Sequence, residues 1–275
     1  MEYLYRFFSW LLNLIFLVGL LLGIIFACFF YFYPNESKIF WDNIKNKWAK
    51  TAYRKPPKKY KNFGVELPKY SIHGIDVSHY QGDIDWEEVK KMKIRGDSIT
   101  FVFIKATEGT TYFDKYFSKN WKESQKMGLI CGAYHYFKPD MSGEQQAKHF
   151  IENVKIKKGN LPPVLDIEEL GEKKLPEVKK ELKIWLNIVE KQYNIKPIIY
   201  SNRVFLEDNI GEEFKKYIIW VAQYKNLTPP EVGFQKWTFW QHSAEGNVNG
   251  INGNVDLNVF EGNNIEDLKK ITKQK

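Results

Sequence analysis

Cysteine is nearly absent from this 275-residue chain, with Cys28 and Cys131 the only two. Cys28 sits in a hydrophobic N-terminal run and Cys131 in an apolar stretch far downstream. No disulfide is expected between them, and cysteine usage gives no sign of compartment. A CxxC pair and a Cys/His cluster are also missing, so zinc has no ligand set, and neither a metal nor another cofactor is expected. Internal repeats are lacking, which excludes a solenoid. Most of the chain lacks a basic face as well. Nine Lys/Arg (Lys38, Lys45, Lys47, Lys50, Arg54, Lys55, Lys58, Lys59, Lys61) stand against Glu36 and Asp42 in residues 34–61 and carry nearly all of the net +8. The remainder is close to neutral, which argues against a nucleic-acid partner.

Charge is missing altogether from Phe7 to Tyr33, a run of 27 residues reading FFSWLLNLIFLVGLLLGIIFACFFYFY. A helix needs about 20 residues to cross ~30 Å of hydrocarbon, so this run is long enough to span with tilt. Trp10 near one end and Tyr31 and Tyr33 near the other fit an interfacial aromatic belt. A cleaved signal peptide has a shorter apolar region followed by a small-residue cleavage site, and neither is present. Residues 1–33 therefore read as a single transmembrane anchor. Residues 34–70, with Pro56-Pro57 among the lysines, read as a basic juxtamembrane linker. The positive-inside rule applied to that linker would leave everything after it in the cytoplasm.

From residue 71 to residue 275, short apolar runs alternate with helix-like stretches. The expected strands are Ser71–Val77, Ile99–Ala106, Leu129–Phe137, Pro163–Ile167, Pro197–Ser201, Tyr217–Ala222, Trp237–Gln241 and Val255–Val259. The expected helices are Trp86–Met92, Lys115–Met127, Gly143–Val154 and Pro176–Tyr193, the last with Val178, Leu182, Trp185, Leu186 and Val189 at helical spacing. Strands alternating with helices imply parallel pairing and a buried sheet. A regular eightfold α/β barrel takes about 250 residues, more than are available. No helical spacer is expected after the fifth strand. The pattern describes an irregular barrel of five βα units closed by further strands.

The fourth strand ends in Val164-Leu165-Asp166-Ile167-Glu168-Glu169. In parallel barrels the active site sits at the C-terminal ends of the strands. Side chains two apart share a face and rise about 6.6 Å, so Asp166 and Glu168 should point together into the barrel mouth. Neighbouring carboxylates cannot both ionise freely, and one proton between them equips the pair for acid/base work. A plain helix-N-terminal acid pair is the alternative. Asp76 at the end of the first strand and Asp256 in the last would join them in a closed barrel. The same strand ends carry the aromatics Tyr80, Tyr134, Tyr136, Phe137, Tyr200, Trp220, Tyr224 and Trp240, some of them barrel core and the rest suited to stacking on sugar faces, and His135 as a pocket residue.

Seven segments occur in order: GIDVSHYQGDIDW (74–86), FVFIKATEGTTYFD (101–114), GAYHYF (132–137), PVLDIEE (163–169), IIYSN (198–202), IWVAQY (219–224) and FWQHSAEGNVNGINGNVDLN (239–258). Together they resemble glycoside hydrolase family 25, the Chalaropsis-type lysozymes, over about residues 73–262. The resemblance implies a TIM-like (β/α)5(β)3 barrel that cuts the β-1,4 bond from N-acetylmuramic acid to N-acetylglucosamine in peptidoglycan. It implies Glu168 as general acid/base, Asp166 as the group that orients and stabilises the reacting sugar, and Asp76 and Asp256 as the rest of an acidic floor. Gln223 and Gln241 join the aromatics as substrate contacts. The wider spacing of an i, i+2 pair suits assistance by the substrate's 2-acetamido group, or an inverting water, better than direct attack. A glycan-binding barrel without activity and a chitinase-like hydrolase are the alternatives. The barrel is expected on the wall side of a membrane, against the charge of the linker.

Overall fold

Each apolar run anticipated from residue 71 onward is a strand in the computed structural model, which describes residues 31–32, 70–94, 96–224, 229–262 and 264–272. The chain divides into two compact units, Met1–Lys58 and Lys59–Lys275. In the first, Tyr31 and Phe32 are helical and exposed. The expected transmembrane anchor over residues 1–33 and the expected linker over 34–70 otherwise lie outside the described residues. Among the described residues no helix is long and apolar enough to cross a membrane. Tyr70 is buried against Trp237 and Trp240, with ring centroids 5.6 and 6.3 Å away, so the packing of the barrel reaches the last residue of the segment read as linker.

Eight strands build the barrel: β1 (His73–Val77), β2 (Asp97–Glu108), β3 (Ile130–Tyr136), β4 (Val164–Asp166), β5 (Ile198–Asn202), β6 (Ile218–Ala222), β7 (Phe239–Gly246) and β8 (Val255–Phe260). Neighbours from β1 through β7 pair in parallel in sequence order. The last strand, β8, runs antiparallel to both β7 and β1 and closes the sheet on itself. Closure leaves the barrel without an exposed edge.

Alternation of side chains decides what each strand does. The inward set, including Phe101, Phe103, Val164, Ile198, Trp220, Phe239 and Phe260, fills the barrel. The Phe103 and Trp220 rings stack there at 4.2 Å. Two inward glycines make room for these rings: a Cβ on Gly74 would lie 2.3 Å from the Phe101 ring, and one on Gly132 would lie 2.5 Å from the Phe103 ring. The outward set, including Val102, Ile104, Leu165, Ile199 and Val221, packs under the helices.

The helices are α1 (Trp86–Lys91), α2 (Phe117–Lys126), α3 (Gly143–Asn153), α4 (Leu175–Tyr193) and α5 (Ile265–Ile271). The 19-residue α4 buries Val178, Leu182, Trp185, Leu186 and Val189, the stripe its spacing predicts. It takes Pro176 in its first turn and ends at Asn194 in the left-handed conformation, φ 53°. Two features correct the sequence reading. A helical spacer does follow β5, as one α turn (Arg203–Phe205), a π turn (Leu206–Ile210) and a 3-10 turn (Glu212–Phe214). Its short turns bury Phe205, Leu206, Ile210 and Phe214 without sustained helical periodicity. Helix α5 is capped by Asn264, whose side chain accepts from Asp267 N, and its Leu268 joins the barrel's interior cluster.

Gly143 opens α3 where it meets α4. Its N–H donates to Glu181 Oε2 at 2.7 Å, and a Cβ there would fall 2.1 Å from the Glu181 backbone oxygen. A backbone carbonyl in the middle of a helix cannot step aside cheaply. Gly143→Ala should therefore lower the unfolding free energy by about 1–3 kcal/mol, read as an earlier urea midpoint with an unchanged slope. A parental midpoint would contradict the close packing of α3 on α4.

Candidate active site

The mouth of the barrel at the C-terminal ends of its strands holds the acids. Val164 and Asp166 point inward from β4, with Leu165 between them pointing out. Past Asp166 the chain stays extended: Ile167 N donates to Tyr200 O at 3.1 Å, and Ser201 Oγ donates to Ile167 O. This tether turns Glu168 back over the mouth. The sequence reading measured the Asp166–Glu168 separation along a regular strand, and Glu168 lies beyond the end of that strand, which stops at Asp166. Both carboxyls line the same cavity at the mouth of the barrel. Asp166 is buried, and its Oδ1 has no hydrogen-bond partner among the described residues. Glu168 lies at the rim and reaches solvent.

Strand β8 brings Asp256 directly opposite Asp76 of β1. Gln241 Nε2 and Asn258 Nδ2 donate to Asp76 Oδ2 at 2.8 and 2.6 Å. The Oε1 of Gln241 accepts from Tyr200 and Tyr224 hydroxyls at 2.7 and 2.6 Å. Trp220 Nε1 donates to Asn258 Oδ1 at 2.8 Å. The floor is thus a connected polar network, each member oriented by the next.

The four acids line one cavity of two adjoining lobes, sharing Tyr134. One lobe adds Tyr200, Trp220, Tyr224 and Gln241. The other adds Ser78, Tyr80, Gln81, Lys105 and Tyr136. Burial raises the Asp166 carboxyl well above the ordinary range, and the Glu168 charge raises it further. Burial also lifts Glu168, against the opposing pulls first of Asp166 and then of Lys105. Asp76 is raised by burial and then by Asp256, and Asp256 is raised by burial. Each pair therefore holds a proton at a pH where isolated carboxyls would have lost theirs. Burial likewise keeps Tyr134 and Tyr200 neutral, as hydrogen-bond donors.

Not every residue expected to touch substrate lines this cavity. His135 points outward from β3 into the helical layer. It bonds Thr107 Oγ1 at 2.8 Å and Gln146 Oε1 at 3.1 Å and stacks on Trp185 at 5.6 Å. Burial pushes its pKa down to about 3. Trp240 also points outward, packing on Tyr70 and Trp237 and donating to Gln223 O at 2.9 Å. Gln223 is not among the lining residues. The reason is parity. Tyr134 and Tyr136 face in, so His135 between them faces out. Gln241 faces in, so Trp240 faces out, and Tyr224 leaves Gln223 on the far side. Trp220, expected among the strand-end aromatics, lines the cavity. Conversely, Lys105 and Asn258 belong to the site and were absent from the expected set, and their inward parity with Tyr134 and Asp256 is the signal that finds them. Among the described residues no group of three or more His, Cys, Asp or Glu is arranged to hold a metal ion.

The sequence matches Glycosyl hydrolases family 25 over residues 75–251. Lysozyme M1 of Streptomyces globisporus is 37% identical over 206 residues, covering 70% of this chain and 68% of the relative. The uncharacterized protein YegX of Escherichia coli (strain K12) is 48% identical over 210 residues, 76% of each chain. A family 25 glycosyl hydrolase structure from Bacillus anthracis superposes with a TM-score of 0.70 at 38% identity, covering 78% of this chain and all of that one.

Proposed function

This chain belongs to glycosyl hydrolases family 25 and is a peptidoglycan hydrolase of the lysozyme kind, and on that premise we propose that it cuts the bond from N-acetylmuramic acid to N-acetylglucosamine with Glu168 and Asp166. The observation that carries the assignment is the convergence of Asp166, Glu168, Asp76 and Asp256 on one cavity at the mouth of the barrel. Glu168, at the rim, donates its proton to the glycosidic oxygen as that bond breaks. The substrate's 2-acetamido oxygen attacks the anomeric carbon, and Asp166 receives the amide N–H and balances the positive charge that develops there. Glu168, now a carboxylate, takes a proton from the water that opens the resulting ring. Direct attack by Asp166 would need carboxyls about 5–5.5 Å apart with the sugar carbon between them, whereas substrate assistance asks of Asp166 only that it meet the 2-acetamido group. Tyr80 and Tyr224, both exposed at the cavity, offer faces for neighbouring sugars.

This chemistry calls for no cation. Purified peptidoglycan should release soluble fragments in the presence of EDTA, and chitin should not. Chitin cleaved as fast as peptidoglycan would move the enzyme to the alternative substrate class.

The same reading anchors the enzyme through residues 7–33, supported by the length of the uncharged run and its flanking aromatics. It places the barrel on the wall side of the membrane, where the substrate is, although the basic linker runs against the positive-inside rule. A chain beginning at Lys59, the start of the second compact unit, should be soluble and active. With the full chain, external protease should digest the barrel in intact cells stripped of wall. Protection until the membrane is permeabilised would contradict this topology.

A further inference from the structure

One charge in the cavity has no part in the mechanism so far. Lys105 faces in from β2 and lines the same lobe as Asp76, Asp166, Glu168 and Asp256. It is nearly inaccessible, with 8% of its surface exposed. Its ammonium lies 2.6 Å from Glu108 Oε2, 4.8 Å from the centre of the Tyr136 ring and 5.7 Å from that of Tyr112.

The contact with Glu108 needs a particular backbone. Residues three apart on a regular strand face opposite ways. Between Lys105 and Thr107 the register of β2 against β3 slips, so that Lys105 pairs Tyr134 while Glu108 pairs Tyr136. The bulge at Ala106 brings Glu108 onto the face of Lys105. The same slip sends Thr107 outward to His135. Glu108 does not simply cancel the ammonium, because Lys138 draws on it as well, at 3.5 Å, while also meeting Glu169 at 3.3 Å. Tyr136 has Lys138 on it too, at 4.7 Å.

The charges facing Lys105 from each surrounding element are unequal. β1 and β8 contribute the Asp76–Asp256 pair, and β4 with its extension contributes Asp166 and Glu168. β3 contributes the Tyr134 and Tyr136 hydroxyls, and β2 itself contributes Glu108. Lys105 is the one cation among the lining residues. Four carboxyls in a desolvated cavity without a cation would all tend to keep their protons. A fully protonated Asp166 cannot balance positive charge on the reacting sugar.

We propose that Lys105 is a positioning residue for the Asp166–Glu168 pair: its ammonium, pinned to the cavity wall by Glu108 and Tyr136, is the fixed positive charge that faces the pair and sets it for acid/base work. The electrostatic pull of Lys105 on both carboxyls runs in this direction. The proposal rests on the reading of Glu168 as the acid and Asp166 as its charged partner.

The test is the pH dependence of kcat/KM for the full chain on purified peptidoglycan, which reports the ionisations of the free enzyme. Lys105→Met should move both limbs of the profile upward by about one pH unit. Glu108→Gln, which removes a negative charge beside the ammonium, should move them downward. Lys105→Arg, which keeps the charge, should restore the parental limbs. Opposite shifts from the two neutralising variants are a signature that a packing role would not give. Unshifted limbs in Lys105→Met, or shifts of the same sign in Lys105→Met and Glu108→Gln, overturn the proposal. If Lys105→Met does not fold, Glu108→Gln against Lys105→Arg decides alone: a downward shift in the first and none in the second supports it, and any other pattern overturns it. Failure of the underlying reading would look different, as a Glu168→Gln variant that retains activity.

Discussion

Glu168→Gln should reduce the rate of peptidoglycan cleavage by about a hundredfold to ten-thousandfold, the usual worth of a general acid. The amide keeps the size and hydrogen-bonding shape of the carboxyl but has no proton to give to the leaving oxygen. Glu168 is at the solvent-facing rim, and its tether runs through the backbone of Ile167, so the fold should not notice the change. Circular dichroism and the thermal midpoint should stay parental. A folded variant with more than about a third of the parental rate would remove Glu168 from the role of acid.

Asp166→Asn should have two effects of opposite value. Activity should fall by about a hundredfold, because the group that answers developing charge in the transition state is lost. Stability at neutral pH should rise. The Asp166 carboxyl is raised well above its ordinary value by burial and by Glu168. The native state therefore holds a proton over a pH range in which the unfolded chain, with its ordinary value of about 3.9, has released it. The resulting cost to stability is absent below about pH 4 and grows as pH rises, reaching its full size above the folded-state value. Asparagine cannot ionise and escapes that cost. The melting temperature of the variant should exceed the parent's at pH 7, and the difference should shrink as pH falls toward about 4. A variant equally or less stable at pH 7 would mean that the Asp166 site is not a desolvated one. Such a gain in stability with loss of activity is the usual cost of a preorganised site. Substrate assistance adds a further outcome: the first released reducing ends should keep the β configuration, and intact mass spectrometry should find no sugar adduct on Asp166. An inverted anomer or an adduct would point to another route.

The eight strands and four of the helices were legible because their inward and outward residues alternate cleanly and their buried stripes recur at helical spacing. The acids were legible because each follows an apolar strand that ends at the mouth. Three kinds of feature were not. Where a strand stops is set by tertiary hydrogen bonds: β4 ends at Asp166, and the extension to Glu168 is held by Ser201 from the neighbouring strand, which an ideal strand does not describe. Motif adjacency is not parity, which is why His135, Trp240 and Gln223 were grouped with the residues beside them although the pleat turns them away. A bulge leaves no mark in composition, so the pairing of Glu108 with Lys105 was not legible. The inward placement of Lys105 and Asn258, by contrast, was recoverable from parity alone.

The most direct test of the account is the chemistry of the new chain end. Digestion of purified peptidoglycan by the full-length protein, followed by borohydride reduction and acid hydrolysis, converts the newly exposed reducing sugar to its alditol. The account predicts muramitol appearing in step with solubilised glycan, and none with Glu168→Gln. Glucosaminitol in its place, or glycan solubilised without a new reducing sugar, would contradict it.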